Sequence, residues 1–462
     1  MKRAYKERRD ELRKTLSDGI VLFLGNVDVP FNYPDNIYSF RQDSTFLYYF
    51  GLQEPGLAAV IDIDDGTECL FGNDSTLSDI IWMGPQPLMN EKAAAILISQ
   101  TQAYNSLASV LQKAQQQGRT IHFLPPYRAE SKIQLWELLG IPPAQQKEKA
   151  SEPLIKAIVR MRIEKEPQEI EQIETALETC YLMHTYVMKH ARAGMVEREL
   201  SGAIEGIALA NGGTVSFPVI LSVNGQILHN HYHGNTMRDG QLLLTDAGAE
   251  TAMRYAGDIT RTIPVSGRFD TRQKAIYNIV LQANLKGIEM SRPGVFYRDV
   301  HLAAARVIAD GLKEAGIMRG NMDAAVAEGA HALFFPHGLG HALGLDVHDM
   351  ENLGENYVGY DETISRSSVF GLKSLRFGRK LAPNFVLTVE PGIYFIPALI
   401  DQWQAEKKFM QFINYDILKE YRSFGGIRIE DDILITVDGC RVLGRHIPKT
   451  VEEIEEMREV FI

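Results

Sequence analysis

The chain has 462 residues, 45% of them hydrophobic and 23% charged, and a net charge of −11. This length and ordinary composition predict two globular domains, or one unusually large one, and exclude a mainly disordered or fibrous protein. The acidic balance argues against nucleic acid as a partner, and no apolar run approaches the length of a membrane span, so we expect no membrane partner. Three widely spaced cysteines indicate neither a disulfide framework nor a thiolate metal site, which favours the reducing cytoplasm.

The N-terminal third of the chain alternates helical and strand-like patterns. In chain order, we predict an amphipathic helix over 2–14, strands at 20–24 and 58–62, a helix over 91–100 and a strand-like run at 120–124. This alternation predicts an α/β domain. Residues 141–150 are rich in proline and charge, as expected at a domain boundary, so we assign this domain to residues 1–155.

The second domain, residues 156–462, segregates its helices and strands. Helices are predicted over 166–191, 197–210, 272–292 and 299–315, and strands over 215–223, 241–245, 258–265, 386–389 and 427–437. Segregated elements of this kind favour an α+β domain with antiparallel strand pairing.

Carboxylates stand at the ends of several predicted strands of this domain. Asp246 closes one apolar run and Asp258 opens the next strand, so antiparallel pairing of the two strands brings both residues together. An aspartate at a strand end is also a common turn former. Glu390 follows the apolar run 386–389, where its burial demands a cationic partner. Alternation in the strand 427–437 places Arg428 and Glu430 on one face, either lining a site or exposed on an edge strand.

Three histidines lie within twelve residues, between glycines: His337, His341 and His348. The glycine spacing does not match the dinucleotide-binding fingerprint, so we discount a nucleotide site. Neutral imidazole is a common metal ligand, and four carboxylates with one histidine form an oxygen-rich donor set that suits manganese or a similar divalent ion. Two metal ions would neutralise these carboxylates, and such pairs catalyse hydrolysis.

These residues in their motifs resemble the five metal ligands of the pita-bread dinuclear metallopeptidases, most closely the proline-specific branch of aminopeptidase P and prolidase. The five matching positions are Asp246, Asp258, His341, Glu390 and Glu430. The segments FRQDSTFLYYFG at 40–51 and WMG at 82–84 resemble the creatinase-type N-terminal domain of that branch. The resemblance therefore implies an α+β fold, with an α/β creatinase-type domain before a catalytic pita-bread domain.

The resemblance implies a role for each ligand. Asp246 would bind one metal ion, His341 and Glu390 the other, and Asp258 and Glu430 would bridge the two. The two ions are expected to be manganese. The spacing from Asp246 to Asp258 is one residue longer than is usual in the family, and we place the extra residue in the turn at 251–254.

Catalytic and substrate roles follow from the same resemblance. Glu390 and His348 would be catalytic, Glu390 by carrying a proton, and Thr260 would support the ligands. Substrate contacts are implied for His229, His337, Arg376 and Arg428. His231 and His233 lie in the same loop as His229, and either of them is an alternative to it.

The segment 371–376 and the insertion 394–424 resemble prolidase. Arg376 would then clamp the C-terminal carboxylate of a dipeptide, whereas the alternative is a solvated loop arginine near Lys373 and Arg379. The leading hypothesis is an Xaa-Pro dipeptidase that hydrolyses the Xaa-Pro bond at the N-terminus of short peptides with two bound metal ions. The alternatives are an aminopeptidase P acting on longer peptides and an inactive, peptide-binding member of the fold. The resemblance also implies a homodimer or homotetramer.

Overall fold

A computed structural model describes residues 2–459, which form two compact units. The first unit extends to Arg162 and includes Asn352–Tyr357, and the second contains Ile163–Glu351 and the chain from Val358 onward. Within residues 2–459, none of the helices combines the length and the hydropathy that a bilayer span requires.

The first unit is built on a five-stranded mixed sheet. Its helices are α1 (Lys2–Thr15), α2 (Ser44–Phe50), α3 (Leu77–Met83), α4 (Met89–Ala95), α5 (Leu107–Gln116), α6 (Ala129–Leu139), α7 (Pro143–Lys149) and α8 (Glu152–Ile163). Its strands are β1 (Ile20–Leu24), β2 (Pro30–Tyr33), β3 (Asn36–Ile37), β4 (Ala58–Asp62), β5 (Glu68–Phe71), β6 (Gln100–Gln102) and β7 (Ile121–His122). The sheet order is β6-β5-β4-β1-β7, with antiparallel pairing in the centre and parallel pairing at both edges. Strands β2 and β3 form a separate hairpin.

The apolar run of β1 explains why this sheet is covered on both faces. Ile20 and Leu22 belong to a core cluster with side chains of α5 and α6. Phe23, which points to the opposite face, contacts Tyr49 and Phe50 of α2 at ring-centroid distances of 5.1 and 5.5 Å. The predicted α/β character of this region is therefore confirmed.

The helix predicted over 91–100 is too long. Helix α4 ends at Ala95, and Leu97 adopts a left-handed conformation with φ of 62°. The backbone N–H of Ile98 donates to the carbonyl of Ala93, which closes the helix, and the chain enters β6 at Gln100. Pairing of β6 with β5 outweighs the helical pattern of the sequence.

The second unit consists of antiparallel strands covered by long helices. The helices are α9 (Pro167–His190), α10 (Glu197–Ala210), α11 (Thr271–Met290), α12 (Tyr297–Glu314), α13 (Met322–Glu328), α14 (Glu355–Val358), α15 (Pro397–Ala405), α16 (Tyr415–Leu418) and α17 (Val451–Glu459), and α14 begins in the returning segment of the first unit. The strands are β8 (Thr214–Val215), β9 (Ile220–Ser222), β10 (Leu242–Ala247), β11 (Ala249–Glu250), β12 (Ile259–Pro264), β13 (Val386–Val389), β14 (Gly392–Tyr394), β15 (Gly426–Arg428), β16 (Asp431–Ile435) and β17 (Cys440–Val442). Their sheets are β12-β10-β9, β13-β16-β17, β11-β8 and β14-β15. The four predicted long helices are present, each within two residues of its predicted ends.

Two of the predicted strands are each divided in the structure. The region 215–223 forms β8 and β9, with Pro218 between them, since proline has no N–H to donate to a strand ladder. The region 427–437 forms β15 and β16, and the chain leaves regular pairing at Ile429 and Glu430. This break lies beside the functional cavity described below.

Strands β10 and β12 form the antiparallel pair that we predicted would bring Asp246 and Asp258 together. Asp246 lies opposite Thr260, and Asp258 immediately precedes β12. The chain reverses through residues 251–255, where Arg254 has a φ of 70° and Thr251 donates its N–H to the carbonyl of Tyr255. Both carboxylates consequently stand at the same end of this strand pair.

Candidate metal centre and substrate pocket

A cavity of about 530 Å³ opens in the second unit, where the ends of β10, β12, β13 and β15 converge. Its lining includes all five predicted metal ligands, namely Asp246, Asp258, His341, Glu390 and Glu430. The predicted catalytic and substrate residues also line it: His229, His337, His348, Arg376 and Arg428. The predicted site residues that share this pocket lie up to 201 positions apart in the chain, counted from His229 to Glu430.

Three of the predicted ligands form a tight buried group. One ligand atom from each of Asp258, His341 and Glu430 lies within 4.8 Å of the other two. His341 Nε2 is 3.4 Å from Asp258 Oδ2, and Glu430 Oε2 accepts a hydrogen bond of 2.7 Å from the Thr260 hydroxyl. The other carboxyl oxygen of Asp258, Oδ1, is buried and has no hydrogen-bond partner among residues 2–459. A buried carboxylate oxygen without a donor is the kind of atom that a cation satisfies.

The ring of His341 is oriented for ligation. Its Nδ1 lies 3.1 Å from the carbonyl oxygen of Ala342, which can only accept, so Nδ1 carries a proton. Nε2 then faces Asp258 and Glu390, at 3.4 and 3.7 Å. Burial lowers the pKa of His341, but the hydrogen bond to Asp258 and the charge of Glu390 raise it to about 9. Nε2 therefore holds either a proton or a metal ion, the arrangement expected of a ligating histidine.

The electrostatics of the carboxylates also require a cation. Burial raises the pKa of Glu390 to about 7, although the charges of His341 and Arg428 lower it. Burial and the neighbouring carboxylates raise the pKa values of Asp258 and Glu430 as well. Positive charge bound among these carboxylates would favour their ionised forms, so the donor set fits divalent metal ions.

Asp246 stands somewhat apart from the tight group, in a salt bridge with Arg428. Nη2 of Arg428 donates to Asp246 Oδ2 at 2.6 Å, and both side chains are largely buried. The guanidinium also donates through Nε to Thr260 Oγ1 at 3.2 Å and through Nη1 to the Tyr394 hydroxyl at 2.7 Å. Arg428 therefore orients the predicted ligand Asp246 and also Thr260, whose hydroxyl donates to the predicted ligand Glu430. Arg428 itself lines the pocket.

Tyr394 is a functional candidate that the sequence analysis missed. Its hydroxyl accepts from Arg428 and lies 2.9 Å from Nε2 of His337. Nδ1 of His337 donates to the carbonyl of Gly338, so Nε2 accepts the proton of the tyrosine hydroxyl. Burial lowers the pKa of His337 to about 3, which keeps this imidazole neutral. Tyr394 thus links Arg428, which holds the predicted ligand Asp246, to His337 on the wall of the pocket.

His348 and Arg376 both contact the carboxylate of Glu351, a residue that the sequence analysis did not identify. Nδ1 of His348 is 3.2 Å from Glu351 Oε2, and Nη1 of Arg376 donates to the same oxygen at 2.7 Å. Burial lowers the pKa of His348 to about 4, so this ring too is neutral near pH 7. The ring of His348 also contacts that of His341, with ring centroids 4.0 Å apart.

The loop after β9 presents two of its three histidines to the pocket. His229 and His231 line the cavity, whereas His233 is not among its lining residues and contacts the carbonyl of Leu221 through Nδ1 at 3.1 Å. Burial lowers the pKa of His229. The structure therefore leaves His229 and His231 as candidates for a substrate contact from this loop.

Asp432 is a further supporting residue that the sequence analysis did not single out. Its Oδ2 accepts a hydrogen bond of 3.0 Å from the backbone N–H of Asp258, which fixes the start of β12. Continuing the period-two alternation from Arg428 through Glu430 would have identified it. Asp431, of opposite parity, instead pairs with Arg261 and Lys449, away from the cavity.

Comparisons with known proteins identify the family of the chain. Residues 171–437 match the model of metallopeptidase family M24, and residues 5–122 match the aminopeptidase P N-terminal domain. The chain is 35% identical to the Xaa-Pro dipeptidase of Homo sapiens, covering 90% of this chain and 84% of the relative. It is 31% identical to the Xaa-Pro aminopeptidase of Escherichia coli strain K12, covering 98% and 97% of the two chains.

Solved structures give the same result. Aminopeptidase P from Escherichia coli with the inhibitor Pro-Leu superposes with a TM-score of 0.81 at 30% identity, covering 100% of this chain and 99% of that one. The zinc-substituted Escherichia coli enzyme in complex with product gives the same TM-score, identity and coverage. The predicted fold, a pita-bread domain that follows a creatinase-type α/β domain, is thereby confirmed. The chain belongs to metallopeptidase family M24 and is a metallopeptidase that carries an aminopeptidase P-type N-terminal domain.

Proposed function

We propose that this metallopeptidase is an Xaa-Pro dipeptidase that releases proline from free dipeptides. The observation that carries the proposal is the position of Arg376 on the lining of the same cavity as the five predicted ligands. A guanidinium at that place offers a charge-assisted site for a free C-terminal carboxylate, which a dipeptide carries directly on its proline. The apolar side chains of Phe217, Val347 and Phe370 also line the cavity and suit a pyrrolidine ring.

The proposal assigns two divalent metal ions to the cavity, held by Asp246, Asp258, His341, Glu390 and Glu430. When bound, the ions would activate a water molecule and polarise the scissile carbonyl. The oxygen-rich donor set supports manganese as the ion.

Side chains of the pocket would transfer protons, contact the substrate and orient the metal ligands. Glu390, which lines the cavity beside the other ligands, would take up a proton from the attacking water and deliver it to the proline nitrogen. His348, His337 and His229 or His231 would contact the peptide on the walls of the pocket, and Arg428 would hold Asp246 in place.

Aminopeptidase P activity on longer peptides is the second candidate. It is favoured by the full-length match to the Escherichia coli Xaa-Pro aminopeptidase and by the N-terminal domain match. The identities to the human dipeptidase and to this aminopeptidase, 35% and 31%, are too close to separate the two activities.

The deciding experiment compares the manganese-loaded protein on an Xaa-Pro dipeptide, an Xaa-Pro tripeptide and the amidated dipeptide. For a dipeptidase we expect cleavage of the free dipeptide alone, and a KM for it that rises about 10- to 100-fold in Arg376→Ala with little change in kcat. Arg379→Ala is the matched control, because that arginine pairs with Asp361 and does not line the cavity.

The other outcomes identify the alternatives. Equal or faster cleavage of the tripeptide and the amide would assign aminopeptidase P activity. If no divalent metal supported cleavage of any of the three, the chain would be a peptide-binding member of the fold.

We also propose a homodimer or homotetramer in the cytoplasm. Self-association is supported by helix α3, which has no buried residue and exposes Leu77, Ile81 and Trp82 by 74%, 70% and 82%. A reducing compartment is supported by the three cysteine thiols, all of which are free.

A further inference from the structure

Glu351 lies directly behind two residues of the pocket wall. It begins the short 3₁₀ helix Glu351–Leu353, and it does not line the cavity, whereas His348 and Arg376 do. Its side chain is 20% exposed. A carboxylate in this position does not meet substrate itself, so any effect on the reaction passes through the residues it holds.

One oxygen of Glu351 holds both of these neighbours. Oε2 accepts a hydrogen bond of 2.7 Å from Nη1 of Arg376 and lies 3.2 Å from Nδ1 of His348. Because a carboxylate next to an arginine is ionised and can only accept, Nδ1 of His348 carries a proton toward Glu351. The contact thereby fixes the orientation of a ring that lines the cavity.

The other oxygen of Glu351 is costly for stability. Oε1 is buried and has no hydrogen-bond partner in the part of the chain that the structure describes. A buried acceptor without a donor costs stability, so this carboxylate calls for an explanation other than folding.

We infer that Glu351 is a positioning residue that fixes the ring of His348 and the guanidinium of Arg376, so that one carboxylate governs both turnover and recognition of the substrate carboxylate. The part that concerns Arg376 rests on the proposed dipeptidase function. The part that concerns His348 holds for any Xaa-Pro substrate.

The test uses Glu351→Ala, Glu351→Gln and Arg376→Ala, and the double variant of Glu351→Ala with Arg376→Ala, on a free Xaa-Pro dipeptide and its amide. For Glu351→Ala we expect kcat for the free dipeptide to fall about 10- to 100-fold, because the ring of His348 loses its orientation. We expect KM for the free dipeptide to rise as well, and this rise to vanish when Arg376 is already alanine, while a dipeptidase leaves the amide uncleaved in every variant. Glutamine keeps an acceptor oxygen, so Glu351→Gln is expected to recover most of the activity.

Glu174→Ala is the matched control, because Glu174 forms a comparable ion pair with Arg441 outside the cavity. Metal content and thermal unfolding of every variant separate a positioning defect from a loss of metal or of folding. Wild-type kcat in Glu351→Ala would overturn the inference, as would equal losses in Glu351→Gln and Glu351→Ala.

Failure of the dipeptidase proposal has a different signature. In that case the wild-type protein cleaves the amide as well as the free dipeptide, and Arg376→Ala leaves both KM values unchanged. The loss of kcat in Glu351→Ala then decides the inference for His348 alone. A KM increase in Glu351→Ala that persisted in the Arg376→Ala background would refute the part that concerns Arg376.

Discussion

At the scale of single residues, the chemistry of the site depends on hydrogen bonds that fix which atom carries each proton. The carbonyls of Ala342 and Gly338 hold the Nδ1 protons of His341 and His337, and Glu351 does the same for His348. Each ring therefore turns Nε2 away from its anchoring acceptor, with a defined role as ligand or acceptor. The surrounding backbone and carboxylate oxygens thus decide the chemistry of three similar side chains.

Replacing Tyr394 by phenylalanine tests the link between Arg428 and His337. Both partners lose a buried hydrogen bond, so we expect kcat to fall at least tenfold and stability to fall by about 1–3 kcal/mol. Steady-state kinetics and thermal unfolding measure the two effects. Tyr277→Phe removes an equally buried hydroxyl, one that donates to the carbonyl of Lys449, and should lower stability while leaving kcat unchanged. A normal kcat in Tyr394→Phe would show that the link plays no part in turnover.

The raised pKa values of Glu390 and His341 predict how pH affects metal-free and metal-loaded protein. The pKa of Glu390 rises from 4.5 to about 7 and the pKa of His341 rises from 6.5 to about 9. In each of these two pH ranges, the group binds more protons in the folded metal-free protein than in the unfolded chain. The contribution of these two groups to stability without metal is therefore greatest at low pH and declines as pH rises through 7 and then 9. Metal ions displace these protons, so the increase in Tm that manganese causes should grow with pH from 5 to 9.

The measurement is a series of thermal unfolding curves with manganese and with a chelator at each pH. Glu390→Gln removes one of the two titrating groups, so its metal-induced Tm increase should depend less on pH near 7. A Tm increase that stayed constant across the range would contradict the proposed competition between protons and metal.

At the scale of elements, the position of His341 depends on how closely its loop approaches β13. The N–H of Thr388 donates to the carbonyl of His341, and the N–H of His341 donates to Thr388 Oγ1. A Cβ atom on Gly340 would lie 2.0 Å from the carbonyl oxygen of Thr388. Only glycine lets the loop lie this close to the strand, and the ligand is thereby held against the sheet.

Gly340→Ala is accordingly expected to push the His341 loop off β13. Overpacking of this kind costs about 1–3 kcal/mol, and displacement of a ligand should reduce metal affinity at least tenfold. Thermal unfolding and metal titration followed by calorimetry check both effects. Gly439→Ala is the control, because nothing lies within 4 Å of the added carbon. Normal metal affinity in Gly340→Ala would mean that the loop adjusts without moving the ligand.

The sequence predicted those residues whose role follows from local patterns. Asp246 and Glu390 follow apolar strands, and His341 lies in a glycine-flanked histidine segment, so each carries a signal in its own neighbourhood. Tyr394 and Glu351 carry no such signal. Tyr394 pairs with Gly426 across β14 and β15, and Glu351 meets an arginine 25 residues further along the chain. Such roles depend on tertiary packing, which periodicity does not encode.

At the scale of the whole molecule, the exposed helix α3 predicts self-association. We expect light scattering to give the mass of a dimer or tetramer, and the double variant of Ile81→Ser with Trp82→Ser to shift it towards the monomer. Trp136→Ser is the control, since Trp136 of α6 is 54% exposed but lies outside α3. A wild-type protein of monomeric mass at micromolar concentration would contradict the proposed oligomer.

The dispersal of the ligands along the chain bears on how the enzyme is made in the cell. The five predicted ligands span positions 246 to 430, and the strand pairs that position them close over long stretches of sequence. Until the ribosome has added Glu430, the nascent polypeptide lacks a complete set of the predicted ligands. Binding of metal by all five predicted ligands must therefore follow synthesis of most of the catalytic domain, so a shortage of the metal would leave that domain as apoprotein without interrupting synthesis of the ligand set.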